Sequence, residues 1–198
     1  VIETLFLKLF KTFSNKKILH EKFPRITYEE SMLKYGSDKP DLRNPLEISD
    51  LTNIFERDDV KFDIFKKLVK SGSIVRALIT KNTKDKPRSF FDGIDKWAKD
   101  EGSSGLAYFT LEKEDKISAK GPIGKFFSET SLMEIINQTN ANIGDTIFLS
   151  CGKKDDVERI LSSARKKIAE DLDLIDKEKF SFSWVVDYPM YEIEEITK

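Results

Sequence analysis

The 198-residue sequence contains one cysteine and one histidine, and each scarcity excludes a kind of chemistry. Because Cys151 has no second cysteine, an intrachain disulfide is impossible and no cysteine cluster can hold zinc. The residues before Cys151 have the pattern of a strand, which predicts a buried, unreactive thiol. His20 lies between two predicted helices with no local partner to orient it as a catalytic base, so we expect an exposed turn residue. The cysteine usage also favours a reducing, cytoplasmic location.

Long apolar runs and an excess of charge of one sign are missing too. No run approaches the ~18 apolar residues that a membrane-spanning helix needs, and no signal peptide is recognisable, so we expect no membrane partner. Lys and Arg total 34 against 35 Asp and Glu, which leaves a formal net charge of −1. This balance argues against a domain dedicated to binding nucleic acid irrespective of sequence. A local contact with nucleic acid stays open.

Apolar residues are plentiful enough for a core, since they make up 39% of the chain and include 15 Phe. They recur at helical spacing in Val1–Phe13, and Thr27–Glu30 has the form of a capping box for a second helix that ends at Gly36. Other patterns predict strands at Leu46–Ile48, Leu106–Leu111 and Asp145–Ser150, and helices at 50–55, 87–102, 131–139 and 155–171.

The segment between Val60 and Lys81 has two interpretations. Val60–Val69 and Ile74–Lys81 fit two strands of a hairpin joined by Ser71-Gly72-Ser73, but the first run fits a helix as well. Strands interleaved with helices that carry one apolar stripe predict an α+β fold. We expect a two-layer sandwich, with helices on one face of a mostly antiparallel sheet.

Two polar segments are candidates for binding. Gly121–Lys125 superficially resembles a phosphate loop, but its spacing is wrong, Pro122 lacks an amide donor, and Phe126 stands where a hydroxyl would hold magnesium. We expect a structural turn that opens a short helix. The alternating charges of Asp38–Arg43 either form a rigid, salt-bridged joint or allow Arg43 to grip a phosphate.

Two motifs bracket the middle of the chain: Tyr35–Arg43, which reads YGSDKPDLR, and Phe182–Glu192, which reads FSWVVDYPMYE. The first ends a helix through Gly and Pro, and the second is a buried strand that Asp187 and Pro189 stop. Together they resemble motifs of bacterial aspartyl-tRNA synthetases, where they flank an inserted GAD domain that is shared with an archaeal tRNA-dependent amidotransferase. The resemblance covers nearly the whole chain. Because the sequence also begins inside a helical pattern, we expect it to be a piece of a longer protein.

The resemblance implies three parts: residues 1–43 from a class II catalytic core, residues 44–180 as the GAD insert, and residues 181–198 as a returning core strand and tail. It implies a parent that uses ATP and magnesium to activate aspartate, esterifies tRNA, and is a homodimer. The family's three catalytic motifs and its anticodon-binding domain have no counterpart here. No catalytic, cofactor-binding or metal-binding residue therefore maps onto this sequence, and we expect the piece alone to be inactive.

The role of the insert is the open question. Its place in the family implies a tRNA-proximal or scaffolding module, and our candidates for tRNA contact are Lys39, Arg43, Lys120 and Lys125. The last two lysines flank the Gly-Pro turn. The alternative is the GAD-type domain of a tRNA-dependent amidotransferase subunit, which would share the middle of the chain but lack the two flanking motifs. An autonomous enzyme is disfavoured because no acid–base or metal constellation is present.

Overall fold

Short strands and six α-helices alternate through residues 1–191, the part of the chain that the computed structural model describes. The predicted tail and the last residue of the second motif, Glu192, lie outside the described residues. In chain order the elements are α1 (Ile2–Phe13), β1 (Lys17–Ile18), β2 (Arg25–Thr27), α2 (Tyr28–Tyr35), β3 (Ile48–Asp50), α3 (Asp63–Lys70), β4 (Ile74–Thr80), α4 (Arg88–Asp100), β5 (Ala107–Lys113), β6 (Ile117–Lys120), α5 (Glu129–Thr139), β7 (Thr146–Gly152), α6 (Lys154–Asp171), β8 (Lys179–Phe180) and β9 (Trp184–Val186).

Helix α2 begins and ends where its local sequence predicts. The Thr27 side chain accepts a hydrogen bond from the Glu30 amide at 3.1 Å, while the Glu30 carboxylate pairs with Lys34 instead of completing the capping box. Gly36 ends the helix at φ 63°, in the left-handed region. A Cβ atom there would lie 2.9 Å from the Cβ atom of Ser162 on α6, so only glycine allows this close approach.

The central sheet is antiparallel throughout and has the strand order β3-β4-β7-β5-β6. Side chains alternate between its faces, so that Leu78, Phe148 and Tyr108 lie in register across three strands on one face. Their neighbours Ala77 and Leu149 belong to the core on the opposite face.

Helices α4 and α6 cover the first face, and this arrangement and the antiparallel sheet confirm the predicted α+β fold class. The second face is covered as well. A short 3₁₀ helix at Thr52–Glu56, together with α3 and α5, encloses a second apolar cluster around Phe55 and Phe109. Both clusters are needed because strands β4, β5 and β7 carry apolar side chains on both faces.

The structure decides or corrects several local predictions. Of the two interpretations of the run from Val60 to Val69, the helix is the one observed, as α3, because Phe65 and Val69 share one helical face against the second cluster. Helix α5 begins at Glu129 rather than Ser131, since Ser128 caps it by accepting a hydrogen bond from the Ser131 amide at 3.0 Å. Strand β6 was not predicted, and it pairs with β5 at the edge of the sheet.

The two flanks of the sheet-bearing region pair with each other. Strand β1 runs parallel to β8, and β2 runs parallel to β9. Phe10 packs edge-on against Phe180 and Phe182, with ring centroids 4.8 Å apart in both pairs. Strand β9 ends just before Asp187, as predicted, because Asp187 adopts a left-handed φ of 58°, but its three residues are half-buried rather than buried.

Candidate functional site

Arg43 lies in a joint between the first flank and the sheet-bearing region. Its guanidinium makes two hydrogen bonds to the Asp41 carboxylate, at 2.9 and 2.8 Å, and a longer one of 3.4 Å to the Lys179 carbonyl on β8. The hydrogen bonds from Arg43 hold the pKa of Asp41 below its usual value. Of the two interpretations of Asp38–Arg43, this geometry favours the salt-bridged joint.

Arg165 of α6 completes the joint from the other side. It is 3% exposed and donates hydrogen bonds to the carbonyls of Leu46 (2.6 Å), Asp41 (2.9 Å) and Asn44 (2.8 Å). The Asn44 side chain returns a hydrogen bond to the Arg165 carbonyl at 2.9 Å, and the guanidinium lies over the Tyr35 ring at 4.9 Å. Burial lowers the pKa of Arg165. We define the joint as Tyr35, Asp41, Arg43, Asn44 and Arg165.

The other three candidates for tRNA contact are exposed but lie in different surroundings. Lys39 pairs with its neighbour Asp38 at 2.7 Å, next to the joint. Lys125 lies over the Phe126 ring, with its amine 5.2 Å from the ring centroid. Lys120, at the end of β6, is the one of the four that lines a cavity with other cations. The structure therefore does not bring the four predicted residues together.

That cavity, which we call the cleft, has a volume of about 480 Å³ and opens between the start of α4 and the end of strand β6. One rim is the loop from β4 into α4, and the other is the end of β6 with the turn that follows. Its lining residues are Lys84, Lys86, Arg88, Phe91, Tyr108, Thr110, Glu112, Lys120, Gly121 and Pro122. Four cations thus face one carboxylate in a chain whose net charge is −1.

The floor and the turn of the cleft are fixed by close packing. Tyr108 stacks on Phe91 with ring centroids 4.9 Å apart, and its hydroxyl approaches the Asp92 carboxylate at 3.4 Å. Burial raises the pKa of Tyr108. At Gly121 a Cβ atom would lie 3.1 Å from the Tyr108 carbonyl oxygen and φ is 132°, so glycine lets the turn approach β5 and sets the position of Lys120.

The loop that carries Lys84 and Lys86 is anchored by buried polar groups. Asp145, which is 1% exposed, accepts hydrogen bonds from the Asn82 amide (2.9 Å), the Asn142 amide (2.8 Å) and the Lys81 amine (2.9 Å). The buried Thr83 hydroxyl contacts the hydroxyl of Thr80 at 2.8 Å. The loop therefore has a defined conformation without any ligand.

The remaining groups of chemical interest give no catalytic arrangement. Burial raises the pKa of the Cys151 thiol to about 11, as expected for an unreactive cysteine. His20 is exposed, as predicted. Across residues 1–191, no three His, Cys, Asp or Glu side chains are grouped so that they could hold a metal ion. None of the helices in that range is both long enough and apolar enough to cross a membrane.

A second cavity, of about 1000 Å³ and thus larger than the cleft, runs along the edge strand β3 beneath α2. Its charged residues have both signs, with Lys34 and Lys81 facing Glu47, Asp50 and Glu56. Because these charges offset one another, the cavity gives no argument for an anionic ligand, and the cleft remains the better candidate for a contact with nucleic acid.

Comparison with known proteins identifies the central region. Residues 65–161 match the family model described as "GAD domain". This region is similar to the GAD domain family. The matched residues extend from α3 to the first part of α6 and include both rims of the cleft, so the cleft lies within the GAD-like region, while the joint lies mostly at its border.

The matches to curated proteins extend beyond the GAD domain to the whole chain. An aspartate–tRNA(Asp/Asn) ligase of Pelagibacter ubique is 70% identical over 197 residues, which is 100% of this chain and 33% of that protein. The enzymes of the same name from Methylorubrum populi and Rickettsia bellii are 43% and 44% identical over 100% and 99% of the chain. The chain spans about one third of the length of these relatives. The predicted resemblance to aspartyl-tRNA synthetases is therefore confirmed, and the amidotransferase alternative is not favoured.

Sequence reasoning missed Lys84, Lys86 and Arg88 of the GAD domain, although a signal was present. Three cations fall within the five residues that lead into α4, whose start at Pro87 was predicted. Arg165 was missed too, and its signal is its position between Leu161 and Ile168 on the apolar stripe of α6. A lone arginine inside such a stripe indicates a buried structural role.

Proposed function

We propose that the chain is the insert-bearing part of a longer aspartate–tRNA ligase, in which residues 44–180 are an inserted module and residues 1–43 and 181–198 belong to the catalytic body. The pairing of the two flanks carries this proposal. Because β2 of the first flank pairs with β9 of the second, and β1 pairs with β8 at the last two residues of the module, the chain leaves the flanking region and returns to it at one place, as an insertion requires. The hydrogen bonds of Arg43 and Arg165 support a module that is held firmly at its border.

The parent that we propose is a class II enzyme that activates aspartate with ATP and magnesium, transfers it to tRNA, and acts as a cytoplasmic homodimer. Residues 1–191 do not fit ATP or magnesium: their acidic side chains form no group suited to a metal, and the turn at Gly121 packs against β5. We therefore assign no catalytic residue to this chain and expect it to be inactive alone. An ATP–pyrophosphate exchange assay tests this, and exchange that depends on aspartate would contradict it.

The module's role in the parent is to contact tRNA. Lys39, Arg43, Lys120 and Lys125 remain our candidates, and Lys120 has the best support because it lies among other cations in the cleft. Arg43 has the least, since its guanidinium is engaged by Asp41 and Lys179.

The experiment that tests this role replaces residues 46–180 of the full-length enzyme with a short Gly-Ser linker. Adenylate formation and tRNA charging are then measured separately. We expect adenylate formation to persist and the efficiency of tRNA charging to fall. If both steps keep their rates, the module does not handle tRNA and serves as a scaffold.

A further inference from the structure

We propose that the cleft of the GAD domain binds the phosphodiester backbone of RNA, with Lys84, Lys86 and Lys120 as its phosphate contacts. This inference rests on the proposed function, because the tRNA substrate of the parent supplies the RNA. It assigns the contact to a defined surface, and two of its three lysines were not among the candidates drawn from the sequence.

The first argument is uncompensated charge. Lys84 and Lys86 lie between residues that do form ion pairs, Lys81 with Asp145 and Arg88 with Asp92, yet they form none within the described part of the chain. Asp85 separates them in the sequence but does not line the cleft. Lys86 has one other contact, since its amine lies over the Phe90 ring at 5.9 Å from the centroid. An anion that enters this cleft therefore meets two ammonium groups that no carboxylate neutralises.

The ion pairs of the other two cations are weak and exposed. Lys120 lies 3.5 Å from Glu112 with its side chain 77% exposed, and Arg88 lies 3.2 Å from Asp92 with its side chain 83% exposed. Such pairs contribute little in water, so a phosphate oxygen can replace either carboxylate.

The second argument is that the cationic loop is positioned in advance. The Lys84 amide donates a hydrogen bond to the Gly144 carbonyl at 3.0 Å, and the Lys86 amide donates to the Thr83 carbonyl at 3.0 Å. Because Asp145 also holds the Asn82 amide, the backbone of the loop is already ordered, and binding an anion costs no further backbone entropy. Only the flexible ends of the lysines lose freedom.

The shape and chemistry of the cleft favour the nucleic-acid backbone over a base. Tyr108 is 7% exposed and already stacked on Phe91, so it offers no free face to a base. Lysine binds phosphate as a point charge and reads no base edge. The amino-terminal end of α4 lies at the same rim, and its first turn contains no acidic residue. The positive end of the helix dipole there also favours a bound anion.

The test uses the full-length enzyme with Lys84→Gln, Lys86→Gln and Lys120→Gln combined, and a tRNA-Asp transcript as the probe. We expect the affinity for the transcript to fall about tenfold or more at moderate salt. The slope of log affinity against log salt concentration should fall by about 2 to 3, because each lost phosphate contact lowers it by nearly one. The matched control changes Lys61, Lys70 and Lys113 to Gln, which are exposed lysines that do not line the cleft. The control should keep both values.

Two further arms make the outcomes decisive. Changing the same three cleft lysines to Arg retains the charge and should retain binding, whereas loss of binding in that variant would point to a structural effect and overturn the proposal. Inorganic phosphate is titrated as a second probe; if the Gln variant loses phosphate binding but keeps its tRNA affinity, the cleft binds free phosphate and the proposal is wrong.

If the Gln variant binds tRNA normally while the linker replacement weakens charging, the cleft assignment fails and the tRNA role of the module stands. If neither change matters, both proposals fail.

Discussion

The joint contains two cations and the cleft contains four, but the two sets differ in burial and in hydrogen bonding. At the joint, Arg165 is 3% exposed and its guanidinium satisfies three backbone carbonyls. In the cleft, Lys84 and Lys86 are exposed and form no ion pair within residues 1–191. The comparison teaches that the number of cations does not mark a binding surface. A buried guanidinium with all its partners stabilises the fold, whereas exposed ammonium groups held on a fixed loop remain available to a ligand.

The largest expected effect is the loss of Arg165. Arg165→Ala leaves the buried carbonyls of Leu46 and Asn44 without their donor, so we expect the free energy of unfolding to fall by about 3 kcal/mol or more. Urea denaturation measures this. Arg159→Ala on the same helix is the control, since its side chain is 55% exposed, and it should stay within about 0.5 kcal/mol. If the two variants were equally stable, the joint would not be the structural element described here.

Next in size is the effect of Asp145, which connects stability to the cleft. In Asp145→Asn, the side-chain NH₂ group faces one of the two backbone amides that now donate to the carboxylate, at a cost of about 2 kcal/mol. Because the loop with Lys84 would lose its anchor, we also expect weaker binding of the tRNA-Asp transcript. Asp85→Asn, at an exposed position in the same loop, is the control for the change in charge. Destabilisation with unchanged binding would show that the anchor does not position the lysines.

The sequence predicts elements well where the signal is local. The stripe of α6, the two ends of α2 and the strand β7 follow from spacing and end residues within one segment, and the structure confirms them. Residues 60–69 were ambiguous because Val60, Phe62 and Ile64 alternate as in a strand, while Phe62, Phe65 and Val69 recur at helical spacing. Packing of Phe65 and Val69 against the second cluster decides for the helix. Strand β6 was missed although its residues alternate between apolar and polar, because four residues are too short a signal, and it gains its order from pairing with β5 at the edge of the sheet.

The candidate site was harder to predict than the fold. Lys120 was selected for its place beside a turn, but its neighbours in space, Lys84 and Lys86, come from a loop on the far side of α4 in the sequence. Only the antiparallel sheet brings that loop and β6 together. The opposite held for Arg43: its charge pattern with Asp41 is local, so the salt-bridged joint was foreseen as one alternative.

A smaller effect is the pH dependence of the free energy of unfolding that the Asp41–Arg43 pair of the joint produces. Because Arg43 lowers the pKa of Asp41 in the folded chain, the ionised carboxylate adds stability above the unfolded pKa of about 4, and this stability is lost as pH falls through the folded pKa. We expect wild type to lose more stability than Asp41→Asn between pH 5 and pH 2.5. Equal losses would contradict the role of this pair. Asp59→Asn is the control. Arg57 and Ser128 lower the pKa of Asp59 to about 2 at a site away from the joint, so this variant should keep the loss of stability that comes from protonation of Asp41.

The smallest expected effect is that of the cleft lysines on the free energy of unfolding. It directly tests whether these lysines, unlike Arg165 of the joint, are dispensable for stability. Combining Lys84→Gln, Lys86→Gln and Lys120→Gln removes the exposed pair between Lys120 and Glu112 and the contact of the Lys86 amine with the Phe90 ring, and it relieves repulsion among four cations. We therefore expect the free energy of unfolding to stay within about 0.5 kcal/mol of wild type. Urea denaturation, beside Arg165→Ala, provides the measurement. A loss near 2 kcal/mol would mean that the lysines hold their own loop, and a fall in tRNA affinity could then no longer be attributed to missing phosphate contacts.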